Sequence, residues 1–253
     1  SDKRIYIDGV FQHCRSIQDI SSLKNWNISK FESLTFVFAG CSSLSDLTPL
    51  AEWNVSNVAD LHNIFSGCSS LSDLTPLKQW SGKLSKITNI SSMLQYCVNL
   101  TDISILEDWK IDNVTDISYM FKGCKKISDL SPLENWNTNR VTNMCSIFES
   151  CTSLIDLTPL ENWDTNNVKD INRILYGCEN IVDLTPLTNW NTDQVTNMNA
   201  AFYGCAQVIS VSSLKNWNTS NVTQMRETFC KCRSVTDLSG LDDWNTSKIT
   251  TSA

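Results

Sequence analysis

Apolar residues return every three positions along this chain, and the whole set of such positions returns every 27. The stretch from Val114 to Trp136, VTDISYMFKGCKKISDLSPLENW, shows it cleanly. Counted from Cys124, apolar side chains fall at −10, −7, −4, −3, +3, +6, +9 and +12. A three-residue step kept up around a whole unit suits neither a 3.6-residue amphipathic helix nor an alternating strand. It suits a chain that winds once per repeat and points one residue inward at each step. One such coil cannot bury its own apolar face, so its neighbours must complete the core.

Nine copies cover the chain. Tryptophans stand at Trp26, Trp53, Trp80, Trp109, Trp136, Trp163, Trp190, Trp217 and Trp244, every interval being 27 residues except the 29 between Trp80 and Trp109. Cys14, Cys41, Cys68, Cys97, Cys124, Cys151, Cys178, Cys205 and Cys232 each precede a tryptophan by twelve residues. They serve below as position 0 of coils 1 to 9. Position +9 is leucine in every copy, from Leu23 to Leu241.

Within each coil the pattern predicts a short strand over +2 to +7. Proline at +8 in Pro49, Pro76, Pro132, Pro159 and Pro186 would end its pairing. A short helical turn is predicted over −7 to −2, as in Met198 to Tyr203. Glycine at −1 in five copies suits a backbone turn. The fold expected is an α/β repeat solenoid, a right-handed leucine-rich-repeat-like coil of nine 27-residue repeats. Its short parallel strands would lie on one face and its helical turns opposite. Residues 1–253 form a single domain, on the order of 40 Å long if coils stack about 4.8 Å apart. The two additional residues fall in Ser81–Lys86 and should bulge from a loop without breaking the stack. Both ends of the sequence fall inside repeats with no recognisable cap, which predicts a longer parent chain.

The recurring motif reads Asn-Val-Thr-x-Met-x-x-Met-Phe-x-Gly-Cys-x-Ser-Leu-x-Asp-Leu. Phe121, Gly123, Cys124, Ile127, Leu130 and Trp136 carry it in one copy, and the other copies repeat it. It resembles the BspA-like leucine-rich repeats, in particular the variant of mycoplasma-type surface lipoproteins. That resemblance implies a secreted or cell-surface protein with an adhesive role toward host or matrix proteins, and no shared catalytic residues.

Three ladders invite chemical readings. The nine cysteines could be metal ligands, disulfides or core. A single file does not converge on one point as structural zinc requires, and buried thiols packing as small hydrophobes is the preferred reading. Cys145 and Cys230, off the ladder, are the expected exposed thiols. The tryptophans could form a sugar-stacking stripe, but their phase matches the inward positions and favours stacked core indoles. Aspartates at +5 (Asp19, Asp46, Asp73, Asp102, Asp129, Asp156, Asp183 and Asp237) could hold calcium. A Ser or Thr at +7 in every copy favours ordinary Asx turns instead.

Composition changes little. With 41% hydrophobic and 19% charged residues the chain reads as folded. Its net charge of −7 argues against a nucleic-acid partner, and no apolar run is long enough to insert in a membrane. Sequons at Asn27, Asn54, Asn89, Asn99, Asn113, Asn218, Asn221 and Asn245 arise from the repeat itself. His13 and His62 share no zinc-binding spacing, and no phosphate-binding or nucleophile motif occurs, so an enzyme is not expected, nor any cofactor or metal.

Function is then sought where a repeat departs from its own consensus. At +4, where other copies carry Ser, Thr or Gln, three successive coils carry Ile155, Val182 and Ile209. At −2, two of them carry Tyr176 and Tyr203, and Ser210 interrupts the aspartate file. These six residues are the expected ligand-binding site, for a protein partner such as a matrix or host surface protein. Drift among repeats would explain them equally. An intracellular scaffold or sensor arm in the cytoplasm and a carbohydrate-binding solenoid are the alternatives.

Overall fold

A repeat whose every third residue turns inward cannot lie in long straight elements. The computed structural model, which describes residues 7–250, is accordingly built of turns. Each coil carries a short 3-10 turn beginning at +7: Ser21–Leu23, Thr48–Leu50, Thr75–Trp80, Ser104–Asp108, Ser131–Leu133, Thr158–Leu160, Thr185–Leu187, Ser212–Asn216 and Ser239–Leu241. The prolines at +8 sit in the first turn of these helices, where a missing N–H costs nothing. They start a helical turn and do not end a strand.

The coils are sewn together by the segment predicted to be helical. In coil 3, the N–H groups of Leu61, Asn63, Phe65 and Gly67 donate to the carbonyls of Asn89, Ser91, Met93 and Gln95 in coil 4. The intervening N–H groups of Ile64, Ser66 and Cys68 turn back to Leu61, Asn63 and Phe65 of their own coil. Odd positions thus bond outward to the neighbour and even positions close local turns. Isolated parallel pairings at −8 run from Ser33 through Asp60, Asn89, Asp116, Asn143, Asp170 and Asn197 to Gln224. Among the described residues no extended strand forms over +2 to +7, and the one pairing found there joins Ser210 to Asp237.

The helix expected over −7 to −2 does not form either, because a left-handed residue recurs at every fourth position of that segment. At −5, Phe36, Asn63, Ser92, Tyr119, Ser146, Arg173, Ala200 and Glu227 all have positive φ. At −1 so do Gly40, Gly67, Gly123, Gly177 and Gly204, joined by His13, Tyr96, Ser150 and Lys231. One such residue ends a right-handed helix, and two per segment turn alternate amides outward to the next coil.

The inward positions are buried as the period requires. In coil 5, Val114, Ile117, Met120, Phe121, Ile127, Leu130 and Leu133 are buried, and the next coils repeat them. Phenylalanines at −3 and tryptophans at +12 stack in files, Phe121 on Phe148 at 5.8 Å and Trp136 on Trp163 at 6.3 Å. Seven of the indole N–H groups donate to the +9 carbonyl of the preceding coil, as Trp163 does to Leu133 at 3.0 Å. Cys41 to Cys205 on the ladder are wholly buried. Their thiols donate to the −3 carbonyl of the coil before, Cys124 to Leu94 and Cys151 to Phe121 at 3.1 Å. The ladder is therefore a file of buried donors as well as of small apolar groups. Off the ladder, Cys230 is exposed as expected, but Cys145 is buried, packed beside the Tyr119 hydroxyl and Asn172.

The two additional residues leave the Asp60–Asn89 pairing intact. They lengthen the 3-10 turn to Thr75–Trp80 and open a cleft of about 290 Å³ lined by Ser81, Gly82, Leu84, Ser85, Trp109 and Asn113. The buried Trp109 Nε1 has no acceptor.

Candidate interaction surface

Repeated outward side chains are engaged mainly with the solenoid itself. Every aspartate at +5 accepts the +7 N–H at the start of its 3-10 turn, at 2.7 to 3.0 Å. The N–H and hydroxyl of the residue at +7 hold Asp19, Asp73 and Asp156 below the usual carboxylate range. Ser210 takes the same part, its Oγ accepting from Ser212 N–H at 3.0 Å and donating to Asp237 at 2.6 Å. It serves as a substitute cap. Among the described residues no group of three or more His, Cys, Asp or Glu is placed to hold a metal ion.

A second file lies at −8, where aspartate and asparagine alternate: Asp60, Asn89, Asp116, Asn143, Asp170, Asn197. The Asn143 amide donates to Asp116 at 3.2 Å and that of Asn197 to Asp170 at 3.1 Å. Like charges stacked on neighbouring coils would repel, and the amides keep them two coils apart. Burial nonetheless pushes the Asp170 carboxyl up. Position −11 alternates in the same rhythm, Lys86 donating to Asn57 and Lys248 to Asn221. Several sequon amides are likewise engaged, Asn99 with the Ser69 carbonyl and Asn221 with that of Asp193.

Two sets of side chains stand apart from these ladders. Ile155, Val182 and Ile209 at +4 are 59%, 54% and 59% exposed. The other set occupies −6 to −1, where all the tyrosines among the described residues gather: Tyr96, Tyr119, Tyr176 and Tyr203. The Lys122 ammonium lies 5.9 Å from the Tyr96 ring and 5.4 Å from that of Tyr119. It also pairs with the buried Glu149 at 3.1 Å, which reaches Arg173 at 3.6 Å. Arg173 stands over Tyr176 at 5.0 Å, Tyr176 stacks on Tyr203 at 4.4 Å, and Lys231 caps Tyr203 at 5.0 Å. One chain of contacts thus crosses six coils. Tyr176 and Tyr203 stand out in the sequence as departures from the repeat, whereas Tyr96, Tyr119, Lys122, Arg173 and Lys231 do not. Their shared register at −5, −2 and −1 was the available signal.

A family model described as "Mycoplasma protein of unknown function, DUF285" matches residues 6–129, 99–207 and 180–253. No curated protein matches. Among solved structures, a leucine rich cell surface protein from Faecalibacterium prausnitzii A2-165 is 14% identical over 82% of this chain and 70% of its own. Its TM-score of 0.29 is too low to carry an argument about fold or function.

Proposed function

This chain belongs to the DUF285 family of Mycoplasma proteins, and we propose on that premise that it is a non-enzymatic, protein-binding solenoid displayed at a cell surface. The observation that carries the reading is the exposed apolar row Ile155, Val182 and Ile209, with Tyr176 and Tyr203 on the same three coils. Apolar side chains left in water add nothing to a repeat array, whereas exposed apolar and aromatic patches are what partners dock on. Surface display rests on the likeness of the repeat motif to mycoplasma-type lipoproteins. Within the described residues no helix is long and apolar enough to cross a membrane.

A cytoplasmic scaffold is the second reading, favoured by eleven free thiols, which a reducing interior would preserve. The carbohydrate reading has less support, since the tryptophan file is buried from Trp53 to Trp217 and offers no stacking faces.

The test is a pair of substitutions at +4, measured against immobilised matrix proteins. Val182→Asp should weaken binding at least tenfold, about 1.4 kcal/mol, because docking would bury an unpaired charge. Ser72→Asp, in the same row on coil 3, should not. Equal effects of the two, or unfolding by Val182→Asp, would overturn the assignment.

A further inference from the structure

The tyrosine and cation ridge at −6 to −1 is a second surface, distinct in composition from the +4 row. Four tyrosines and four cations, Lys122, Arg173, Arg226 and Lys231, follow one another from coil 4 to coil 9. Lys122, Arg173 and Lys231 are each already fixed over a ring, so little of their side-chain freedom would be lost on binding. The single buried carboxylate, Glu149, is shared between Lys122 and Arg173, and Arg226 is offset by Glu227 beside it. Arg173 and Lys231, both exposed, keep positive charge available on either side of the Tyr176–Tyr203 stack. This local excess stands out on a chain of net charge −7.

We propose that this ridge binds an extended acidic polypeptide segment laid along the solenoid axis, its carboxylates meeting Arg173 and Lys231 and its backbone resting on the tyrosine edges. The proposal rests on the reading of the solenoid as a binding module, but not on the +4 row. Length supports a peptide: five steps of about 4.8 Å give a ridge of about 24 Å, which an extended chain of about seven or eight residues spans. Composition supports it as well. A sulfated polysaccharide asks for a dense basic stripe, whereas here tyrosines equal the cations in number and Glu149 and Glu227 offset half of the four positive charges. Tyrosine and arginine are the residues that dominate protein–protein contacts.

The experiment uses a fluorescein-labelled octapeptide alternating Glu and Ser, followed by anisotropy at low ionic strength. A Lys–Ser octapeptide and a heparin oligosaccharide run beside it. The Glu–Ser peptide should bind, and the Lys–Ser peptide and heparin should not. Arg173→Gln with Lys231→Gln should weaken binding at least tenfold, glutamine avoiding a like charge beside Glu149. Tyr176→Ala with Tyr203→Ala should weaken it comparably. Lys24→Gln with Lys215→Gln removes the same charge from exposed positions off the ridge and should change affinity less than twofold. Circular dichroism and melting temperature confirm that each variant folds. Equal losses from the two lysine-containing pairs, binding of heparin in place of the peptide, or no peptide binding at all would overturn the proposal. Val182→Asp should leave peptide binding unchanged, so a failure of the +4 row on matrix proteins is read separately.

Discussion

A ladder cysteine does two things that no other small side chain does equally well. It fills a small apolar space, and its thiol donates to a buried carbonyl of the preceding coil. The Leu94 carbonyl also accepts from Cys97 N–H, so losing the thiol would not orphan it. Cys124→Ala should therefore cost only about 1–2 kcal/mol, the transfer and cavity cost of a small group. Cys124→Ser keeps the donor and should cost no more than alanine in denaturant melts; a larger loss would mean the thiol matters only as a hydrophobe. Burial pushes the Cys124 and Cys178 thiols up to about 12, so they should resist alkylation in the native protein while Cys14 and Cys230 react. At this scale the sequence was largely legible: ladder cysteines inside, tryptophans stacked, aspartates capping. Cys145 was misplaced because its row holds polar residues in other coils, and nothing in its own neighbours announced a pocket between Tyr119 and Asn172.

Element assignment failed where backbone sign decides it. The residues at −5 in coils 2 to 9 are Phe, Asn, Ser, Tyr, Ser, Arg, Ala and Glu, and of these only Asn63 is of a type that favours a left-handed conformation. Glycine at −1, with Gly9 and Asn63 at −5, hinted at one, but the apolar residues at −7, −4 and −3 give the segment a helical pattern. Its alternate amides instead bond to the next coil, which holds the strained residues in place. Substitutions at two such positions should have opposite effects. Ala200 has φ +53, so Ala200→Gly should relieve strain and be neutral or stabilising by up to about 1 kcal/mol, the entropy of glycine offsetting part of the gain. Gly123 has φ +74 and a Cβ there would strike the Tyr96 ring. Gly123→Ala should then destabilise by about 1–2 kcal/mol. Thermal melts giving both substitutions the same sign would show that the turn geometry is not what stabilises the stack. The paired rhythm at −8 and −11 was readable too, as a doubling of the period to two coils, because charge repulsion between stacked coils favours alternation.

At the scale of the whole array, each coil depends on its neighbours for core, amides and indole acceptors, so an irregularity in one is felt in the next. The insertion between coils 3 and 4 is the clearest case. Seven tryptophans, from Trp53 to Trp244, find the +9 carbonyl of the preceding coil. Trp109, the one tryptophan that follows the longer loop, is buried with no acceptor for its Nε1. A buried unsatisfied N–H costs about 1–3 kcal/mol, and the loop also leaves an open cleft beside the indole. Deleting Ser81 and Gly82 restores the 27-residue spacing and should return the Leu77 carbonyl to Trp109. Shorter loops also cost less entropy to close. The deletion variant should therefore unfold at higher denaturant, by about 1 kcal/mol or more, with a single cooperative transition. A lower midpoint would mean that coils 3 and 4 have repacked around the insertion, and that the spacing rule governing the other seven intervals is a tendency of the sequence and not a condition of the stack.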